Sequence, residues 1–230
     1  EATAEKYGFT RKEQDDYAIT SLTRAQNAAT SGHFADEITP VTFNTRKGEV
    51  TIDADEQPPK AKPEKIPTLR PAFAKDGTVT AAHSASISDG AAALVMMRAS
   101  EAEKRGLKPL AKIVGQSTHA QEPCWFTTAP IDAIKKVLGK TGWSKDDVDL
   151  WEINEAFAVV AMAAIRDLEL DHGKVNVHGG ACALGHPIGA TGARLLVTLI
   201  HALKTHGGTK GVASLCIGGG EATAVAIELL

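Results

Sequence analysis

Three short stretches carry residue types that can move protons and hold charge. Cys216 ends an apolar, β-branched run and stands one residue ahead of Gly218-Gly219-Gly220. A free thiol titrates near ~8.5, so Cys216 needs help to act as a base near neutrality. A row of glycine N–H groups or a nearby imidazolium would supply it. His186 lies in Gly179 to Gly192, where five glycines in fourteen residues let the backbone approach a ligand, and Pro187 biases His186 toward an extended conformation. A histidine on such a loop can carry a proton or donate to an oxyanion. Asn154 follows the apolar run Leu150-Trp151-Glu152-Ile153. A carboxamide there can hold a water against developing negative charge, or simply cap a helix, with Glu155 favouring the helix dipole. Each has a bland reading too: a packed strand-end cysteine, a helix-entry histidine and a cap. Cys182, flanked by alanines, and Cys124, among Pro123, Trp125 and Phe126, read as packing residues.

The elements that must position these groups follow from periodicity and punctuation. Thr10 and Glu13 form a capping-box pattern ahead of a helix over 11–31, with Gly32 as its stop. One or two short strands are expected between Ile38 and Val50. The proline- and lysine-rich stretch from Asp53 to Pro71 reads as an extended surface loop. The run from Asp89 to Met97 is apolar on every side and fits a buried helix or a buried strand equally. Beyond Gly106, strands at 110–114, 148–153, 175–177, 212–216 and 222–229 alternate with helices at 130–138, 155–168 and 191–204, which predicts a layered α/β domain.

Composition narrows the classes. The 230 residues are 43% hydrophobic with a formal charge of −3, enough for a substantial core and no strong field toward nucleic acid or membrane surfaces. Three cysteines without paired spacing suggest neither a zinc site nor a disulfide framework, and point to a reducing, cytoplasmic setting, with mitochondria as the alternative. The chain opens in what reads as a helix already under way, which suggests a fragment. The glycine spacing near His186 is not the dinucleotide fingerprint, which argues against NAD.

Asn154-Glu155-Ala156-Phe157, Gly185-His186-Pro187 and Cys216-x-Gly218-Gly219-Gly220, in this order, together with Leu69-Arg70-Pro71-Ala72-Phe73 and Ser88-Asp89-Gly90-Ala91-Ala92-Ala93, resemble the thiolase family from the first residue to the last. The resemblance implies a layered αβαβα fold of two similar halves with an inserted coenzyme A-binding cap. On it, residues 1–86 are the remainder of the cap, 87–108 end the N-terminal half, and 109–230 form the C-terminal half. It implies Claisen condensation of two acetyl-CoA, or thiolytic cleavage of a 3-ketoacyl-CoA. No resident cofactor or metal is implied, since the coenzyme A thioester is the substrate, and a homodimer or homotetramer is expected.

By the same resemblance Cys216 is the acid/base at the α-carbon. His186 activates a nucleophile and donates to the thioester oxygen, and Asn154 holds the oxyanion-hole water. Phe73 packs on pantetheine, Ala156 and Phe157 wall the pocket, Trp125 and Phe126 line the acyl site, and Gly218 belongs to the cysteine loop. Residues 80–85 match the pantetheine loop only in part: alanine stands for the usual serine and His83 for the usual asparagine, which leaves Ser84 or Ser86 to make that contact. Lys60, Lys62 and Lys65 are candidates for the nucleotide phosphates. The family's nucleophilic cysteine is not among the three present, so the chain alone is expected to be inactive and to lack the nucleophile-bearing N-terminal half. Two alternatives stay open: a non-catalytic binding module on the same fold, and a condensing synthase using carrier-protein thioesters, which usually has a second histidine where Asn154 stands.

Overall fold

The computed structural model describes residues 1–230. Helix α1 (Ala2–Tyr7) ends at Gly8 in the left-handed conformation, and α2 (Arg11–Thr30) follows at once. Thr10 caps α2 through a full capping box: its hydroxyl accepts from the Glu13 amide at 3.2 Å while Glu13 Oε2 accepts from the Thr10 amide at 2.7 Å. An exposed hairpin, β1 (Val41–Thr45) and β2 (Gly48–Ile52), comes next. The proline-rich stretch is not wholly extended. It makes 3₁₀ turns at Pro58–Lys60 and Pro63–Thr68, because buried Pro58 and Ile66 and two carbonyls bonded to Gln26 pin it against α2.

After α3 (Ala99–Lys104) the chain builds its main sheet from β3 (Ala111–Ala120), β4 (Leu150–Ile153), β5 (Lys210–Ile217) and β6 (Glu221–Leu229), in the order β3-β6-β5-β4. Only β4 and β5 run parallel. Helices α4 (Ala129–Thr141) and α5 (Ala158–Asp167) cover one face, short α6 (Ala181–Leu184) follows, and α7 (Thr191–His206) covers the other. The sandwich follows from alternation along the strands. Trp151, Ile153 and Val212 join Ile131, Ile134 and Val137 of α4 in one core, while Leu150 and Ala213 pack with Leu195, Leu199 and Leu203 of α7 in the other. Ile134 is fully buried, so truncation to alanine removes about 3 kcal/mol.

Three expectations are corrected. The run 89–97 is neither helix nor paired strand but extended chain. Ala92 and Leu94 are half-buried, Leu94 against the α7 core, whereas Val95 is 89% exposed. Continuous apolarity fitted two covered faces, and only one is covered. Val175 makes a single bridge to Trp151 rather than a strand. Helix α5 begins at Ala158 with Phe157 at its N-cap, so Asn154 is no cap: its amide donates to Ser214 O at 2.9 Å and prolongs the β4–β5 ladder.

Candidate functional site

The two parallel strands end side by side, and the open end of such a pair is where α/β sheets place ligands. Asn154 leaves β4 fully buried. Cys216 lies two residues beyond Ser214 on β5, in register with Ala222, and Gly218 sits exposed in the turn that follows. His186 arrives between α6 and α7. Its backbone bridges Ile87, with its amide donating to Ser86 O at 2.9 Å. Gly185 is required just before it. Its φ is +85°, and a Cβ there would strike Ser88 Oγ and Gln57 Nε2, which bond each other at 2.6 Å.

Hydrogen bonds fix the state of His186. Thr191 Oγ1 lies 2.6 Å from Nδ1 and gives its own proton to Pro187 O at 3.0 Å. Nδ1 is therefore the ring donor, and the lone pair sits on Nε2. Asn154 Nδ2 stands 3.5 Å from that Nε2, and Asn154 Oδ1 is buried without a partner. Burial, aided by the Arg194 charge, lowers the His186 pKa, so the imidazole is the neutral form near pH 7. Cys216 behaves differently from the sequence expectation: burial pushes its thiol up to about 12, and its own backbone N–H offsets only part of that. It rests as the protonated thiol, not as a thiolate.

Around this centre the structure gathers most of the expected residues. Phe157 meets Phe73 with ring centres 5.8 Å apart and Phe126 at 6.3 Å. Ser84 bridges Phe157, and Ala85 N donates to Ala156 O at 3.1 Å. Ser86 reaches Gln57 and Ser88 at 2.9 Å each, whereas Ser84 Oγ is spent on Thr80 O. Others stand apart. Trp125 lies beneath the Lys6 ammonium, 4.3 Å away, and lines a separate cavity of about 330 Å³ with Asp132 and Asp167. His83 is fully buried between Asp15 Oδ1 (2.7 Å) and the Thr80 amide (3.1 Å), a structural anchor for the loop. Lys60, Lys62 and Lys65 are exposed, and Lys60 pairs with Glu56.

Glu155, read from sequence as favouring a helix dipole, is a hub instead. Its buried carboxylate accepts from Tyr17 (2.9 Å), Ser21 (2.7 Å), Asn176 (3.0 Å) and the Cys182 amide (3.1 Å), tying α2 and α6 to the end of β4. Sequence reasoning also missed Thr191 and Gln57. A hydroxyl one turn beyond His186, at the start of a helix, was the available signal for Thr191.

A fixed carboxamide within 3.5 Å of a neutral imidazole, and a buried thiol near the end of the neighbouring strand, are groups that can do acid/base chemistry on a layered α/β fold. Residues 107–229 match the family profile "Thiolase, C-terminal domain" and residues 1–100 match "Thiolase, N-terminal domain". The chain belongs to the thiolase family. The second match corrects the expectation that the N-terminal half is lacking, since residues 1–100 represent it. An acetyl-CoA acetyltransferase of Rhizobium meliloti is 49% identical over 100% of this chain and 59% of its own length. The crystal structure of the Bacillus anthracis acetyl-CoA acetyltransferase superposes with a TM-score of 0.97 at 48% identity, with 100% of this chain and 58% of that one covered. Human mitochondrial 3-ketoacyl-CoA thiolase gives 0.92 at 39% identity, again over 100% and 58%. The chain thus spans a little under three fifths of the length of these relatives. No helix is long and apolar enough to cross a membrane.

Proposed function

We propose that the chain supplies the proton-transfer and oxyanion machinery of a thiolase-type acyltransferase, one that condenses two acetyl-CoA or cleaves a 3-ketoacyl-CoA. The observation that carries this is Asn154 Nδ2 standing 3.5 Å from a His186 Nε2 that keeps its lone pair, with Asn154 Oδ1 unpartnered. An unpaired buried acceptor costs stability, so it is retained where a bound water or substrate completes it. Removing an α-proton from a thioester requires fixed donors at its carbonyl, each worth ~3 kcal/mol. A water held on Asn154, with His186 in its donating form during the reaction, meets that need. Cys216 exchanges the α-proton. In the cleavage direction the protonated thiol gives its hydrogen to the α-carbon as the carbon–carbon bond breaks, and the thiolate left behind is the base that takes an α-hydrogen in the condensation direction. Phe73, Phe126, Ala156 and Phe157 face the pantetheine and acyl chain, with Ser84, Ser86 and Gly218 at the rim.

The acyl-accepting thiol comes from outside these residues. Partial desolvation and the Glu122 carboxylate raise the Cys124 thiol, and burial against Glu155 holds Cys182 protonated. The assembly works as a homodimer or homotetramer without a resident cofactor.

Two assays test the proposal. In heavy water the chain should exchange the α-hydrogens of acetyl-CoA, read by mass spectrometry, and C216A and N154A should each slow exchange at least ~100-fold. Absence of exchange above the buffer background would sink the reading and favour a binding module. The unaided chain should not thiolyse acetoacetyl-CoA, and turnover there would refute the external thiol.

A further inference from the structure

Helix α7 turns a polar stripe toward β4 and the loop after α2. Thr191, Arg194 and Thr198, spaced i, i+3 and i+7, lie on one face, and each meets a different segment. Thr191 holds His186 Nδ1 at 2.6 Å, Arg194 Nη1 donates to Glu152 Oε2 at 3.3 Å, and Thr198 donates to Glu37 Oε1 at 3.0 Å. Glu152 sits two residues before Asn154 on β4, so both project to the α7 side of the sheet. The Glu152–Arg194 pair therefore lies beside the Asn154–His186 contact, joining the same strand to the helix whose first residue, Thr191, holds His186. Its burial is out of keeping with a surface ion pair: Glu152 is 1% exposed, and Glu152 Oε1, Glu37 Oε2 and Arg194 Nη2 are all buried without partners.

Such an arrangement costs stability compared with apolar side chains of the same size, and calls for another role. We propose that Arg194, seated by Glu152, is a positioning residue of the site: it clamps the first turns of α7 to β4, fixing the Asn154–His186 spacing, and presents a permanent positive charge to the imidazole. The charge balance supports this. Burial pushes the Glu152 carboxyl up to about 8 and that of Glu37 to about 7, and Asp55 is raised as well. Near pH 7 Glu152 on β4 is thus largely protonated and Glu37 in the loop after α2 partly so, burial also raises Asp55 ahead of Pro58, and Glu155 is engaged by Tyr17, Ser21 and Asn176. The guanidinium is left as the charge that His186 feels, and it disfavours the imidazolium. Nε2 is so kept free to accept a proton.

The test is a histidine NMR titration on the full chain, with His186 assigned by the loss of its signal in H186N. In R194M the midpoint should rise by ~1 unit, a tenfold gain in proton affinity, as expected when a neighbouring like charge is removed. R194Q stands in if R194M does not fold. R194K keeps the charge and should stay nearer wild type than R194M, and E152Q should produce no rise. An unmoved midpoint in the neutral variants, a rise in R194K equal to theirs, or any rise in E152Q would overturn the inference. It rests on reading His186 as the working imidazole, but the titration needs no turnover. The predicted shift without α-hydrogen exchange would sink the proposed function and leave this inference standing.

Discussion

At the scale of single residues, protonation separates the three cysteines. The thiolate is the reactive form, and burial holds Cys216 up to about 12 and Cys182 well above the ordinary thiol value, while Cys124 is exposed. Iodoacetamide at pH 8 should therefore label Cys124 first and leave Cys216 and Cys182 unmodified until the chain unfolds. Peptide mass spectrometry checks this, and rapid labelling of Cys216 in folded protein would contradict the assigned environment. The tautomer of His186 is a second residue-scale matter. Replacing Thr191 by valine removes the acceptor for Nδ1–H, worth about 1 kcal/mol, and should let the Nε2–H tautomer appear in ¹⁵N spectra. A spectrum unchanged from wild type would mean that another group fixes the ring.

At the scale of elements, the site depends on how α2 and α6 grip the end of β4. Gly179 has φ +80°, and a Cβ there would come within 2.6 Å of the backbone oxygen of Ser21, the serine whose hydroxyl binds Glu155. G179A should destabilise the chain by about 3 kcal/mol, measured by urea unfolding. T10A breaks only a terminal capping box and should lose about 1 kcal/mol. The contrast matters because Thr10 was legible in sequence and the grip was not. A capping box is written in four consecutive residues. Glu155 gathers Tyr17, Ser21 and Asn176 from positions up to 138 residues away, and nothing in their local spacing announces it.

At the scale of the whole molecule, buried titratable groups set opposing pH limbs. Burial holds His178 at about 4 and lowers His83 and His186 below the ordinary imidazole value. As pH falls from 6.5 toward those lower values, the unfolded chain takes up protons that the folded chain refuses, so stability drops. Glu37 and Glu152 act in reverse. Their folded values of about 7 and about 8 exceed the unfolded one, so the folded form gives up protons late and stability falls as pH rises from 4.5 through that window. Urea unfolding between pH 4.5 and 8 should show a maximum in between. H178N should flatten the acid limb and E37Q the alkaline one, and parallel curves for wild type and variants would refute the assignment.

The sequence by itself determined what is local. Most strands and helices beyond Gly106 (the expected strand at 175–177 excepted), the capping box at Thr10 and the three candidate stretches are each written in a few adjacent residues, where backbone preference and side-chain chemistry act together. Tertiary structure decided which faces are covered, and so left residues 89–97 extended with one side bare although they read as buried on all sides. It also turned Asn154 from a helix cap into the end of a strand, raised Cys216 where a glycine turn suggested lowering, and set Arg194 near His186. Burial and charge proximity arise only when distant segments pack, and they, not residue type, fix the protonation states on which this chemistry depends.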